Sequence, residues 1–145
     1  MSVEFSPTED ASFAEKLTQT NMARYYEKRG IEWNHEMFTQ SWDTFENFDI
    51  YQSGKRVGVI RFTYETDTTY LRDFQIEAEY QGKGIGAQSL TLAIEHAKHR
   101  GSSYLRLRVF SENPAISLYQ KLGFVVISEE NELMTMELAP SECKL

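Results

Sequence analysis

A glycine-rich segment between a strand pattern and a helix pattern constrains this chain more than any other feature. The segment, residues 80–86, reads YQGKGIG. Residues 70–76 before it predict a strand, and the apolar residues after it recur at helical spacing: Ala87, Leu90, Ala93, Ile94 and Ala97. Glycine adopts backbone conformations closed to other residues and has no Cβ to block a ligand, while N–H groups at a helix start attract anions. The segment therefore predicts a phosphate-binding turn.

The spacing of the glycines separates three kinds of phosphate-binding turn. A P-loop requires G-x-x-x-x-G-K-[ST], but Lys83 is followed by Gly84. A dinucleotide fingerprint requires G-x-G-x-x-G and an acid about 20 residues further on, a requirement that this chain does not meet. The remaining pattern, Gln81-x-x-Gly84-x-Gly86, resembles the pyrophosphate loop of the GNAT superfamily of acetyl-CoA-dependent N-acetyltransferases. Close packing of the helix entry is the alternative explanation for these glycines.

A second motif follows the next predicted strand. It contains Asn113, Tyr119, Gly123 and Phe124, and it resembles the N-x-x-A-x-x-x-Y-x-x-x-G-F segment of the same superfamily. The alternative is a capped amphipathic helix with Tyr119 in the core. That alternative explains this motif by itself, but it does not explain why the glycine-rich segment stands upstream. The two motifs together indicate a GNAT N-acetyltransferase.

The patterns along the chain predict a single domain, residues 1–145, of the α/β class. Strands are predicted at 2–6, 48–52, 57–64, 70–76, 104–109, 124–127 and 133–138. Helices are predicted from 7–10 to 28–30, and at 34–42, 87–99 and 114–122, with a turn at 129–131 and a loose tail at 139–145. The first helix has one apolar face, formed by Phe13, Leu17, Met22 and Tyr25 or Tyr26. The order β-α-α-β-β-β-α-β-α-β-β predicts a mixed central sheet with helices on both faces and resembles the GNAT fold from end to end.

The resemblance implies acetyl-CoA as co-substrate and direct attack of an amine in a ternary complex, so that no cysteine or serine nucleophile is needed. The residues it places around the cofactor are Phe74, Ile76, Gln81, Gly82, Lys83, Gly84, Ile85, Gly86, Asn113 and Tyr119. Backbone N–H groups of residues 81–86 would hold the pyrophosphate, and the pantetheine arm would pair with the strand that ends at Ile76. A backbone N–H near Ile76 would stabilise the oxyanion, Tyr119 would protonate the departing thiolate, and Asn113 would anchor the cofactor or a water.

The general base is the point at which this chain departs from the closest pattern. Residues 70–76 resemble Y-L-E-D-F-F-V in spermidine/spermine acetyltransferases, where the glutamate is the usual candidate base. Arg72 occupies that position here and cannot accept a proton at ordinary pH. Asp73 matches the neighbouring acid and is the leading candidate, acting through water. The alternative, that Asp73 pairs with a neighbouring arginine, stays open.

The acceptor is predicted from arginines and aromatic residues. Arg72, Arg61 and the pair Arg106 and Arg108, which share one face of a strand, suggest that the acceptor carries a carboxylate or phosphate besides its amine. The substrate residues singled out are Arg72 and Arg108, and the alternative is that these arginines pair with carboxylates or face solvent. The resemblance also places aromatic residues around the acceptor, although such a set also suits a core: Tyr25, Tyr26, Trp33 and Trp42.

The composition argues against several other classes of protein. A net charge of −7 disfavours nucleic-acid binding. Cys143 is the only cysteine, and the three histidines do not group as metal ligands. The absence of a signal pattern and of a long apolar run predicts a cytoplasmic protein without a membrane partner. The resemblance to the GNAT superfamily suggests a homodimer. The rival function is a non-catalytic GNAT-fold module that senses acyl-CoA.

Overall fold

The order of strands and helices in the computed structural model, which describes residues 2–143, is the predicted one. The strands are β1 (Val3–Pro7), β2 (Glu46–Gln52), β3 (Lys55–Tyr64), β4 (Thr68–Ile76), β5 (Tyr104–Phe110), β6 (Val125–Glu130) and β7 (Leu133–Leu138). The helices are α1 (Ala11–Lys28), α2 (His35–Thr44), α3 (Ile85–His99) and α4 (Ile116–Leu122). The sheet has the order β1-β2-β3-β4-β5-β7-β6, and β4 and β5 are parallel whereas β1–β2, β2–β3, β5–β7 and β6–β7 are antiparallel. The predicted α/β class and mixed sheet are therefore confirmed.

The chain divides into two compact units, and each is described by itself. The first unit contains the residues up to Thr63 together with Asp73–Ser89. The second unit contains Tyr64–Arg72 and the residues from Leu90 onward. The chain thus passes from the second unit to the first in the middle of β4.

The first unit is built around the inner face of α1. Asp10 caps this helix, because its carboxylate accepts a hydrogen bond from the Phe13 N–H at 3.1 Å. The residues that α1 buries are Ala14, Leu17 and Thr18, one helical turn of a single face. Of the face predicted from the sequence, Leu17 is buried, whereas Phe13, Met22, Tyr25 and Tyr26 are only half-buried. Ala14 and Leu17 of this face pack with Phe38 and Val59 in the core of the first unit.

The end of β4 in the first unit is held by two close contacts. A Cβ on Gly58 of β3 would lie 2.2 Å from the Gln75 carbonyl oxygen, so that only glycine fits there. The Asn21 side chain of α1 donates hydrogen bonds to the Gln75 Oε1 at 3.1 Å and to the Ile76 carbonyl at 3.0 Å. These contacts fix the last residues of β4 immediately before the glycine-rich segment.

The second unit buries apolar residues of α3 and of the strands β5 and β7. Of the apolar face predicted for α3, Leu90, Ala93, Ile94 and Ala97 are fully buried, whereas Ala87 is half-buried. The first half of β4 pairs with β5 from Thr68 opposite Tyr104 to Leu71 opposite Leu107. The pairing ends there, although β4 continues to Ile76 and β5 to Phe110.

Several predicted boundaries in the second unit are wrong. Helix α4 begins at Ile116 rather than at Pro114, because the Asn113 side chain accepts the Ala115 N–H at 2.9 Å and so caps a preceding turn. Gly123 ends the helix as predicted, with a φ of 111°. Strand β6 begins at Val125, after the buried Phe124. The hairpin turn lies at residues 131–132, both with left-handed backbone, rather than at 129–131.

The prediction of a loose tail is also wrong for residues 139–143. Pro140 is buried at the start of a 3₁₀ turn, Pro140–Glu142. The Lys98 ammonium donates a hydrogen bond to the Cys143 carbonyl at 3.0 Å, and the Cys143 thiol contacts the Leu122 carbonyl oxygen at 3.8 Å. Residues 144 and 145 lie outside the described residues. Among residues 2–143, no helix combines the length and the apolar character that crossing a bilayer requires.

Candidate active site

A hydrogen bond from Gln81 ties the start of the glycine-rich segment to the end of β4. The Gln81 backbone N–H donates to the Ala78 carbonyl at 3.2 Å, closing the 3₁₀ turn Ala78–Tyr80. The Gln81 side chain donates to the Ile76 carbonyl at 2.9 Å. The Gln81 N–H thus has an acceptor within the chain, and its contribution to the anion site stays a prediction. The Gln81 side chain fixes the start of the loop.

The anion-binding geometry begins one residue later. Gly82 and Gly84 have φ values of 74° and 83°, which strain any other residue, and the space where a Cβ would stand is open at both. Gly86 lies inside α3 and does not have a left-handed backbone. The first backbone bond of the helix runs from the Gln88 N–H to the Gly84 carbonyl at 3.2 Å. In an α-helix the N–H groups of the first turn form the positive end of the helix dipole, which attracts anions.

A cavity of about 380 Å³ in the first unit brings three predicted site residues together. Tyr26 and Trp33, predicted around the acceptor, and Asp73, the predicted base, all line it. Its other lining residues come from α1, α2, the loop between them and the adjoining strands: Thr18, Ile31, Glu32, Asn34, Met37, Phe38, Ser41, Phe45 and Arg61. The walls are thus largely aromatic and apolar, with charged groups at Glu32, Arg61 and Asp73.

The aromatic wall is part core and part cavity. The Tyr26 and Trp33 rings are stacked, with centroids 5.9 Å apart and planes at 28°. The Trp33 indole N–H donates to the Glu15 carboxylate at 2.8 Å, and Trp33 also packs against the core cluster of the first unit. The two interpretations of these aromatic residues are therefore compatible, because one side of Trp33 packs on the core while the residue also lines the cavity.

Asp73 shows a similar combination of roles. Its Oδ2 accepts a hydrogen bond from the Arg61 Nη1 at 2.7 Å, which confirms the arginine pairing left open by the sequence. The Arg61 side chain is 1% exposed, whereas that of Asp73 is 23% exposed and lines the cavity. Burial raises the pKa of Asp73, and the Arg61 charge and hydrogen bond oppose this rise without overcoming it. The pair therefore leaves Asp73 accessible as a stronger base than an ordinary aspartate.

Arg61 is the site residue whose position the sequence did not predict. Besides Asp73, its Nε donates to the Asn47 Oδ1 at 2.8 Å and its Nη2 to the Ser41 Oγ at 2.7 Å. Its guanidinium lies 4.6 Å from the ring centroids of Phe38 and Phe45. One signal was present: an arginine inside the apolar run 57–62 must be buried and hence must have a partner.

Tyr119 lies in the second unit and is buried, with 7% exposure. Its ring packs edge-on against Phe124, with centroids 5.7 Å apart. Burial raises its pKa to about 12. The phenol is therefore protonated throughout the neutral range, as a proton donor must be.

The remaining residues predicted around the cofactor include Asn113, Phe74, Ile76 and Lys83. Asn113 stands six residues before Tyr119, one fewer than the motif requires, and its side-chain oxygen is bonded to the Ala115 N–H. Ile76 is buried, Phe74 is half-buried, and Lys83 lies 5.9 Å from the Tyr80 ring centroid. The cofactor roles of these residues remain predictions.

Three of the predicted arginines lie in the second unit: Arg72, Arg106 and Arg108. Arg106 donates to the Glu137 carboxylate at 2.8 Å and to the Tyr70 hydroxyl at 2.9 Å, so it pairs with a carboxylate of the neighbouring strand. Arg72 is exposed and lies 4.3 Å from the Tyr70 ring centroid, and Arg108 is exposed. Their contact with an acceptor stays a prediction. Within residues 2–143, no three His, Cys, Asp or Glu side chains are grouped to hold a metal ion.

Comparison with known proteins decides the family. The model of the acetyltransferase (GNAT) family matches residues 14–124, well over half of the chain. The chain belongs to this family. The structure of the PaiA N-acetyltransferase from Thermoplasma acidophilum, in complex with coenzyme A, superposes with a TM-score of 0.74 at 19% identity and covers 96% of this chain and 99% of that one. The predicted GNAT fold is thereby confirmed.

Two GNAT relatives differ in what they acetylate. The thialysine N-epsilon-acetyltransferase of Bos taurus is 37% identical over 76 residues, which cover 50% of this chain and 45% of the relative. The [ribosomal protein bS18]-alanine N-acetyltransferase of Escherichia coli (strain K12) is 29% identical over 113 residues, which cover 75% of this chain and 76% of the relative. This GNAT chain thus spans less than half the length of the first and about three quarters of the second.

Proposed function

We propose that this GNAT protein transfers the acetyl group of acetyl-CoA to a primary amine of a small molecule or peptide, by direct attack in a ternary complex. The observation that carries the proposal is the cavity in which Asp73 meets the walls formed by Tyr26 and Trp33. The names of its relatives, which acetylate a side-chain amine and a protein alanine, support an amine acceptor. Acetyl-CoA suits the glycine-rich segment, because Gly82 and Gly84 leave open space beside first-turn N–H groups, a donor set that matches a diphosphate.

Residues 82–86 would therefore bind the pyrophosphate, while Phe74 and Ile76 would flank the pantetheine arm. A backbone N–H near Ile76 would donate to the oxyanion that forms during attack. The Ile76 carbonyl is already bonded to Asn21 and Gln81, so the end of β4 is held rigidly for this role. Such preorganised donors contribute more than flexible ones, because no free energy is spent on orienting them during the reaction.

Two proton transfers complete the proposed reaction. An alkyl amine has a pKa near 10, so the ammonium must lose a proton before attack, and Asp73 accepts it directly or through water. The raised pKa of Asp73 favours this step, because a more basic carboxylate holds the proton better. Tyr119 then donates its proton to the departing thiolate, and its pKa of about 12 keeps that proton in place at neutral pH.

The acceptor class follows from the cavity. A volume of about 380 Å³ suits a small amine or a single side chain or terminus of a peptide. Asp73 and Glu32 suit its ammonium group, and the stacked rings of Tyr26 and Trp33 suit an apolar or cationic stem. The predictions that Arg72 and Arg108 bind an anionic group of the acceptor, and that the protein is a cytoplasmic homodimer, are kept as part of this proposal.

The test is release of free thiol from acetyl-CoA across a panel of polyamines, amino acids, aminoglycosides and lysine peptides. We expect turnover with at least one amine, and a loss of kcat/KM of about 10²–10⁴-fold in Asp73→Asn, because the variant keeps the shape of the side chain but not the base. The control is Asp43→Asn, which makes the same change on the exposed surface of α2. Stabilisation by acetyl-CoA without turnover of any amine would favour the non-catalytic sensor.

A further inference from the structure

Arg61 has no role in the reaction proposed above, yet it is the most completely enclosed charged residue of the cavity wall. We infer that Arg61 is the positioning residue that holds the Asp73 carboxylate in line with the acceptor amine. This inference rests on the proposed function, because it assigns a partner to the proposed base. Three observations support it: the hydrogen bonds of the guanidinium, the aromatic rings around it, and the burial of Arg61 next to the more exposed Asp73.

The hydrogen bonds fix the plane of the guanidinium. Its three nitrogens donate in three directions, to Asp73, Ser41 and Asn47, at 2.7, 2.7 and 2.8 Å. These partners come from β4, α2 and β2, so three separate elements hold one planar group. A planar fork with every nitrogen engaged has a single orientation, and a lysine ammonium cannot reproduce it.

The rings fix the position of the guanidinium. Phe38 and Phe45 lie 4.6 Å from its central carbon and Trp42 lies 5.4 Å from it. Guanidinium groups are weakly hydrated and stack on aromatic faces, so this arrangement stabilises an arginine away from water. The charge stays beside Asp73 instead of moving into solvent.

The burial of Arg61 decides between two roles for it, binding an anion of the acceptor and positioning Asp73. An arginine that binds an anion of the acceptor must present N–H groups to the cavity, but the Arg61 side chain is 1% exposed. Asp73 is 23% exposed and Arg61 reaches only its Oδ2, at 2.7 Å. Within the part of the chain that the structure describes, Oδ1 has no such hydrogen bond and is the oxygen available to the amine. Arg61 therefore acts on the acceptor through Asp73.

If Arg61 positions Asp73, its removal should change the pH dependence of kcat/KM. The Arg61 charge opposes the rise of the Asp73 pKa on burial, so its removal leaves less carboxylate ionised at lower pH. In Arg61→Ala we expect a loss of kcat of about 100-fold, typical of a misplaced catalytic group, with an unchanged KM for acetyl-CoA. The acid limb of the kcat/KM profile moves to higher pH. Millimolar guanidinium restores activity, because the variant leaves a cavity of that shape beside Asp73.

The matched control is Arg56→Ala. Arg56 lies on the same strand and also pairs with carboxylates, Asp10 at 3.0 Å and Asp49 at 3.4 Å, but it does not line the cavity. We expect Arg56→Ala to lose its ion pairs as well. The acid limb of its kcat/KM profile should not move, and guanidinium should not change its activity. A folded Arg61→Ala that keeps the parent acid limb, or that guanidinium fails to rescue, overturns the inference.

If Arg61→Ala does not fold, Ser41→Ala is used in its place. It removes one neutral partner of the guanidinium and keeps both charges. A lower kcat with unchanged KM for acetyl-CoA supports the inference, and an unchanged kcat overturns it. Activity retained in Asp73→Asn contradicts the proposed base instead, so the two failures are distinguishable.

Discussion

The burial of Tyr119 predicts a measurable loss of stability at alkaline pH. Its pKa is raised from about 10 to about 12 because the phenolate would be enclosed in apolar surroundings. Below pH 10 the phenol is protonated in both the folded and the unfolded protein. Between pH 10 and 12 only the unfolded protein releases the proton, so the free energy of unfolding falls as the pH rises. A difference of two units corresponds to about 3 kcal/mol in total.

The perturbation is Tyr119→Phe, which keeps the ring and its contact with Phe124. Urea unfolding is measured for both proteins from about pH 8 to about pH 11, and the difference in unfolding free energy is taken at each pH. Taking the difference cancels the other groups that titrate in this range. We expect it to change by about 1 kcal/mol between pH 10 and 11, with the parent losing more. Tyr104→Phe, at an exposed tyrosine, is the control.

A difference that stays constant up to pH 11 would refute the reasoning, because the phenol would then not be desolvated. The same variant tests the chemistry in the transfer assay. There we expect kcat to fall by about 10²–10⁴-fold with little change in acetyl-CoA affinity. An unchanged kcat would remove Tyr119 from the mechanism.

Two further predictions concern glycines of the first unit. Gly84→Val should abolish thermal stabilisation by acetyl-CoA. The control is Gly101→Val, which strains a backbone with a similar φ of 75° in equally open space and should keep that stabilisation. Equal stabilisation of both variants by acetyl-CoA would contradict the pyrophosphate assignment. Gly58→Ala should lower the free energy of unfolding by about 1–3 kcal/mol in urea, because its Cβ would stand 2.2 Å from the Gln75 carbonyl oxygen. An unchanged unfolding midpoint would show that β3 and β4 separate there without strain.

The order of the elements was predictable because it depends on local patterns. An apolar run marks β3, helical spacing marks α3, and Gly123 ends α4 with a φ of 111°. Boundaries were less predictable where a side chain bonds locally. Asn113 was expected to cap α4, but it caps the preceding turn, and the choice depends on one bond to the Ala115 N–H.

Parts of the candidate site depend on distant contacts that no local pattern contains. Asp73 was predicted as a base or as the partner of an arginine; the structure shows the pairing, and the base stays a prediction. The identity of that arginine could not be read, because it requires β3 beside β4 and Ser41 of α2 beside both. Gln81 was predicted to offer its N–H to a ligand, but the 3₁₀ turn before it uses that group.

The Ile76 carbonyl limits how any other chain can pair with the end of β4. A carbonyl oxygen has two lone pairs, and here the Asn21 and Gln81 amides occupy both, at 3.0 and 2.9 Å. An amide N–H of an incoming molecule therefore finds no free lone pair on this carbonyl. A peptide-like arm that lies along this end of β4 would have to pair with the strand through other backbone groups.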